Sequence, residues 1–188
     1  MRATTLLTRQ FASIHQSLHD VAGDLMPDEL TTRFLPNTNL LAFDLWHVAR
    51  AQDWAVQTLA RGVPEVVDEP RWQECGRLAT HGIGVGYTRE QADELARGLA
   101  LPDILAYADT VHQEIVRWLD ALPDEALDSE PDVPGHLTRY PVYLQQAMRD
   151  EVPWMFQQPP LWRCLGPATG HVRDHLAQMG LLKQQARA

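Results

Sequence analysis

Histidine is the residue type in this sequence best suited to chemistry, because four of the eight histidines form two pairs spaced four residues apart. The pairs are His15/His19 and His171/His175. In an α-helix this spacing places two imidazoles on the same face, where both could ligate one metal ion. The spacing is the same in both pairs, so the helices that carry them must decide which pair faces inward.

The first pair belongs to a predicted helix of about residues 4–24, whose apolar residues recur at the spacing of one helix face. That apolar stripe consists of Leu7, Phe11, Ile14, Leu18, Val21 and Leu25. At ~100° per residue, His15 lies roughly 60° and His19 roughly 100° from the centre of the stripe. We therefore expect this pair to lie on a solvated flank rather than at a metal site.

The second pair falls on the inward stripe predicted for the last helix. That stripe consists of Ala168, His171, His175, Gln178, Met179 and Leu182. His47 likewise stands mid-stripe on the second predicted helix, between Phe43 and Trp54. One buried His is usually a hydrogen-bonded core residue, but burying three unpartnered imidazoles costs about 1–3 kcal/mol each, whereas one divalent ion would partner all three. Two interpretations stay open: a metal site of His47, His171 and His175, or three core histidines.

The second predicted helix has the clearest start and stop signals. It covers about residues 38–61, where Asn37 or Thr38 can cap the start and Gly62 can end it. The third begins at Pro102, a residue suited to a first helical turn, and runs to about residue 122. The last begins somewhere between residues 160 and 167 and runs to about residue 185.

These four amphipathic segments, without convincing strand alternation, predict an all-α fold: a four-helix bundle in a single domain of residues 1–188. The connections after the second and third helices, about 25 and 40 residues long, are predicted to be irregular. We expect a short helix after the Thr88 to Gln91 capping box, and another near residues 142–149. Loops of this length usually cover a site or carry an interface.

Composition and charge exclude several classes of protein. The chain has 16 basic and 25 acidic residues, a net charge of −9, and no cluster of Lys or Arg, which argues against direct binding of nucleic acid. The N-terminal segment has no sustained apolar run after its charged residue, and no run of ~18 apolar residues occurs elsewhere, so neither a signal peptide nor a membrane span is predicted. Cys75 and Cys164 lie far apart and form neither a disulfide framework nor a zinc ribbon, which fits a cytoplasmic protein.

The segments around the three inward histidines, residues 45–54 and 170–182, resemble the DinB/YfiT-like superfamily. The resemblance implies one metal-ligating His from the second helix, a His-x-x-x-His pair from the last helix, and a Gln three positions after the final His. His47, His171, His175 and Gln178 occupy these positions. The loop of residues 81–88 is also similar to members of this group.

The sequence also departs from parts of that family. Many members carry His-Arg-Gly-Gln around the last ligand, whereas this chain has Asp174, His175, Leu176 and Ala177 before Gln178. The related mycothiol-dependent maleylpyruvate isomerases have a Glu where this chain has His171, which disfavours that activity.

Three imidazoles around Zn²⁺ or Ni²⁺ leave an open position on the metal, where the pKa of a water can fall to roughly 7 or a thiol can be held as thiolate. The first chemistry is hydrolysis and the second is thiol transfer. The resemblance implies both, so the expected partner is a small-molecule substrate, with a low-molecular-weight thiol as one option. The sequence does not choose between them.

Six further residues are candidates for secondary roles, each with a structural alternative. Asp44 and Asp174 could act as a base or orient a ligand, Arg50 could receive an anion or form a salt bridge, and His81 could reach the site or lie in solvent. Cys75 and Cys164 are expected to be unreactive, because no basic neighbour lowers the pKa of their thiols.

A second class of function is a non-catalytic metal-binding bundle that is structural or forms a homodimer. The six tryptophans favour it, since Trp46 and Trp162 could lie at an interface or a pocket wall as well as at the edge of the core. A structural metal site is closed by a fourth protein ligand, whereas a catalytic site keeps an open position. That difference separates the two classes.

Overall fold

The computed structural model describes residues 2–187, and all regular structure in that range is helical. In chain order the α-helices are α1 (Ala3–Ala22), α2 (Pro27–Thr31), α3 (Leu41–Asp53), α4 (Pro70–Gln73), α5 (Arg89–Arg97), α6 (Leu101–Ala121), α7 (Val133–Leu137), α8 (Gln146–Glu151), α9 (Leu161–Cys164) and α10 (Val172–Ala186). A π-helix, Trp54–Arg61, continues α3, and another, Pro167–His171, leads into α10. Across residues 2–187, no helix combines the length and the apolar character needed to cross a lipid bilayer.

The four long helices are those expected from the apolar periodicity, and they pack against one another. Helix α1 lies against α6 and α10, and α3 lies against the same two helices. The contact faces of α1 and α6 use the predicted stripes, including Phe11, Ile14 and Leu18 from α1 and Val111 and Ile115 from α6, all buried. Apolar residues three and four positions apart therefore form the core that joins these helices.

Helix α3 differs from the amphipathic helix expected there, because every residue from Leu41 to Asp53 is buried. A helix buried on all sides must be covered on its outer face as well as its inner face. Helix α5 packs on α3, and α7 packs on the π-helix that continues α3. The chain between the long helices therefore encloses the helix that carries His47.

The ends of the helices confirm some predicted caps and correct another. Thr88 caps α5 in a capping box with Gln91, and Gly62 ends the π-helix in the left-handed conformation with φ +64°. The predicted cap at Asn37 or Thr38 is wrong, since α3 begins at Leu41 and has no side-chain cap. The Asn39 amide instead donates to the Asp44 carboxylate, at 2.8 Å.

The two long connections are more regular than expected. The 3₁₀-helices Val66–Asp68, Gly76–Ala79, Asp124–Asp128, Pro141–Leu144 and Pro153–Phe156 alternate with the short α-helices. Pro70, Pro141 and Pro153 each stand in the first turn of one of these elements. The backbone N–H groups of a first turn have no partner within the helix, so a proline there loses no hydrogen bond, and its fixed φ suits the helix. These three prolines therefore start helical turns within the connections.

Candidate metal centre

The three histidines predicted as ligands come together in space. His47 belongs to the middle of α3, His171 ends the π-helix before α10, and His175 follows one turn later. The Nε2 atom of His171 lies 3.0 Å from Nε2 of His47 and 3.2 Å from Nε2 of His175. Tetrahedral zinc with nitrogen ligands holds two such atoms about 3.3 Å apart, so this triad has a geometry able to bind a divalent metal ion.

The tautomer of His47 is fixed by a loop that is distant in sequence. Its Nδ1–H donates to the carbonyl oxygen of Ile83 at 2.6 Å, which leaves the Nε2 lone pair free to face the other two rings. Burial lowers the pKa of His47 to about 3, and burial also lowers the pKa of His171 and His175. All three rings are therefore neutral at neutral pH, the form in which imidazole binds a metal.

His175 lies in front of a buried carboxylate. Its Nδ1 is buried and has no hydrogen-bond partner, and it lies 3.9 Å from Oδ1 of Asp44. Burial raises the pKa of Asp44 to about 6, and Asn39 donates to the same oxygen. Asp44 thus stands behind a candidate ligand, as expected for a residue that orients it, although beyond hydrogen-bond distance. Asp174, the other predicted acidic candidate, is exposed.

A cavity of about 630 Å³ opens beside the three imidazoles. Its walls are mainly apolar, with Phe43 and Trp54 from the helix of His47 and Val85, Val152 and Trp154 from the two long connections. Arg163 and Glu151, both exposed, supply the charged groups of the wall. The long connections therefore cover the site, which is one of the two roles expected from their length, and leave room for a small molecule.

Comparison with known proteins bears on the family and the fold of this chain. The sequence model of the DinB superfamily matches residues 10–179. The chain belongs to the DinB superfamily. The crystal structure of a conserved protein from Enterococcus faecalis is similar over 98% of this chain and 97% of that chain, with a TM-score of 0.68 and 14% sequence identity. At that identity the likeness shows a shared fold, and no curated protein matches the chain significantly.

One predicted feature of this DinB-superfamily site is wrong, since Gln178 does not point inward. The buried stripe of the last helix consists of Ala168, Val172, Leu176, Met179 and Leu182. Ala168, Met179 and Leu182 belong to the predicted stripe as well, but Val172 and Leu176 are buried in place of His171 and His175. At ~100° per residue the buried face is therefore rotated by roughly 50° from the prediction. Gln178 is exposed, and the two histidines stand at the edge of the packed face. Gln52 is the buried amide here, and it donates to the carbonyl oxygen of Ala168 at 3.2 Å.

Arg50 in this DinB-superfamily chain is a fully buried ion-pair partner and not an exposed anion receptor. Its guanidinium contacts Asp53 at 2.9 Å and Glu65 at 2.5 Å, and it donates to the hydroxyl of Tyr107 at 2.7 Å. Its Nε also donates to the carbonyl oxygen of Gly82. Gly82 directly precedes Ile83, whose carbonyl oxygen accepts the hydrogen bond from His47. The i, i+3 spacing of Arg50 and Asp53 could have indicated this pair, but no local pattern points to Glu65 or Tyr107.

The remaining candidates lie away from the centre. His81 is 42% exposed and lies 3.6 Å from Asp68. Burial raises the pKa of the Cys164 thiol to about 12, and burial raises that of Cys75, so neither is an activated nucleophile. Trp46 is fully buried in the core and Trp162 is 56% exposed.

Proposed function

We propose that this chain is a metal-dependent enzyme in which His47, His171 and His175 hold one Zn²⁺ or Ni²⁺ ion. In this proposal the four long helices form the four-helix bundle of the superfamily, with the ion between the second and last of them. The observation that carries it is the convergence of three Nε2 atoms on a cavity wall, with no fourth Cys, His, Asp or Glu in the cluster within residues 2–187. Three protein ligands beside open space are typical of a catalytic site, whereas structural sites are closed.

The substrate class follows from the cavity. Its volume and mainly apolar walls fit a small molecule with substantial apolar surface, and the walls would exclude water from the reacting group. A bound ion would supply Lewis acidity there. The Glu151 carboxylate lines the cavity and is our candidate for the proton acceptor, which favours hydrolysis as the first candidate reaction.

Thiol transfer is the second candidate, and Arg163 is the residue that favours it. This guanidinium lies on the cavity wall and packs over the Trp154 ring at 5.3 Å, which holds a cation where an anionic co-substrate could enter. A low-molecular-weight thiol with a carboxylate group fits that position. Arg163 would then bind and orient the thiol, while the apolar wall would bind the acceptor.

Metal content tests the centre itself. Untagged wild-type protein purified without added metal is compared with a His171→Ala/His175→Ala variant by elemental mass spectrometry, with circular dichroism to verify folding. We expect the variant to lose one equivalent of Zn or Ni, and His81→Ala, which changes a histidine outside the cluster, to lose none. Equal metal content in the folded double variant, or no binding by wild type after incubation with Zn²⁺ and Ni²⁺, would contradict the proposal.

Activity screens separate the chemistries. The metal-loaded protein is assayed with small esters and amides, and with low-molecular-weight thiols plus electrophilic acceptors. We expect Glu151→Gln to reduce hydrolysis by about 10²-fold if Glu151 is the base, whereas Glu114→Gln on α6 leaves it unchanged. Arg163→Met should raise the KM for the thiol in the second reaction. A metal-loaded protein without turnover in either screen would favour the non-catalytic bundle, structural or dimeric.

A further inference from the structure

A second cluster of metal-ligating side chains lies between α1 and α6, on helices that do not carry the triad. The Nε2 atoms of His15 and His19 both approach a single oxygen, Oδ1 of Asp109, at 3.1 Å and 2.7 Å. The three ligand atoms all lie within 4.8 Å of one another. Two imidazoles one turn apart and a carboxylate from a facing helix thus point at one small volume.

The cluster is preformed, because rigid elements hold it from several sides. The His15 ring lies between two other imidazoles: it stacks on His112 with 4.2 Å between centroids and 5° between planes, and it meets His19 edge-on at 4.7 Å. The helices below are fixed by buried residues such as Ile14 and Val111. Little rearrangement is needed to bring the ligand atoms to bonding distance of an ion.

The chemistry of the donor set fits a borderline divalent cation. Two neutral imidazole nitrogens and one carboxylate oxygen are a recurrent ligand set for zinc. The side chains of His19 and Asp109 are 36% and 44% exposed, so an ion can enter from solvent.

We propose that His15, His19 and Asp109 form a second divalent-metal site, suited to Zn²⁺ and separate from the triad. His112 is a positioning residue, which holds the His15 ring in orientation by stacking. The competing interpretation is that Asp109 only accepts two N–H hydrogen bonds from the two histidines. The two differ in whether the cluster takes up metal.

The test isolates this cluster by removing the first one. Metal-free His171→Ala/His175→Ala protein is titrated with Zn²⁺ by isothermal titration calorimetry at pH 7. We expect one equivalent of Zn²⁺ to bind, and the affinity to fall more than ~10-fold when either His19→Gln or Asp109→Asn is added to that background. Asp120→Asn, an exposed carboxylate on the same helix as Asp109, serves as the matched control and should leave the affinity unchanged.

Two results would overturn the proposal: no uptake of Zn²⁺ by the folded double variant, or uptake that neither His19→Gln nor Asp109→Asn weakens. His19 is a partly exposed side chain, so its replacement does not put folding at risk, and circular dichroism verifies this. A His19→Gln change in otherwise wild-type protein leaves the triad intact. Its metal content therefore reports on the first centre independently of the second.

Discussion

Neighbours in space decide what each polar residue of this chain does. His47 and Arg50 stand three residues apart on α3 and are both buried, yet one presents a lone pair to a cavity and the other is enclosed by carboxylates. Burial raises the pKa of Asp53, and the Arg50 guanidinium opposes that rise. Arg50 is thus a structural cation whose loss leaves Asp53 and Glu65 buried without a counter-charge.

Replacing Arg50 with Met should destabilise the protein by about 3–5 kcal/mol, because removing one partner of a buried ion pair leaves uncompensated charge. The free energy of unfolding is measured by urea denaturation followed by circular dichroism. Arg117→Met removes an exposed arginine from α6 and should stay within about 0.5 kcal/mol of wild type. A loss below about 1 kcal/mol in Arg50→Met would show that Asp53 and Glu65 tolerate burial without it.

At the scale of elements, the loop between residues 82 and 86 connects the buried ion-pair cluster to the histidine triad. Arg50 holds the Gly82 carbonyl, and the next carbonyl, that of Ile83, holds the His47 ring. Gly84 follows with φ +85°, and a Cβ built there would lie 2.5 Å from Cζ of Phe43. Only glycine lets this loop approach α3 closely enough for the Ile83 carbonyl to reach His47.

Gly84→Ala should therefore weaken Zn²⁺ binding by the triad by about 10–100-fold, the range found when a hydrogen-bond partner of a ligand is lost. The affinity is measured by calorimetric titration in a His19→Gln background, so that the triad is observed alone. Gly76→Ala is the matched control, because φ at Gly76 is +58° but no atom lies within 4 Å of the added Cβ. Equal affinities for the two variants would mean that the loop does not orient His47.

At the scale of the whole molecule, charged side chains join helices that are far apart in the sequence. Asp124 accepts hydrogen bonds from the backbone N–H groups of Ala3 and Thr4, and so caps the start of α1 from a distance of 120 residues. At the other end of α1, Asp24 pairs with Lys183 and Arg187. These ion pairs connect the end of the first long helix to the end of the last one.

The Asp24 cluster predicts a dependence of stability on pH. Hydrogen bonds from Lys183 and Arg187 lower the pKa of Asp24 to about 2, below the value of about 3.9 for an unfolded chain. Between these two pKa values the unfolded state binds more protons than the folded state. The contribution of the Asp24 ion pairs to the free energy of unfolding is therefore complete above pH ~4 and is lost as the pH falls toward 2.

We expect Asp24→Asn to have a lower melting temperature than wild type at pH 7, with a gap that closes between pH 4 and pH 2. Added salt should narrow the gap at pH 7, because the cluster is exposed. Thermal unfolding at a series of pH values measures the gap, and Asp120→Asn provides the control. A gap that stays constant down to pH 2 would show that the carboxylate charge is not its cause.

The sequence by itself determined the long helices and the three histidines of the triad. Apolar spacing at 3.6 residues is a local property, and it places His171 and His175 on one face whatever surrounds them. Local signals also identified the Thr88 cap, the Gly62 stop and the first turn at Pro102. The resemblance to the DinB superfamily rested on these same residues, and the family match confirmed it.

Only the tertiary structure decided how those residues are used. The carbonyl that holds His47 lies 36 residues away, Asp109 meets His19 across 90 residues, and Glu65 reaches Arg50 from beyond the end of the π-helix. The rotation of the last helix, which exposes Gln178, depends on which side chains pack against α1 and α3. Such contacts join segments that are far apart in the sequence, so no repeating pattern of residues reveals them. Helix spacing determines which residues share a face, whereas the packing of the helices determines which residues that face contacts.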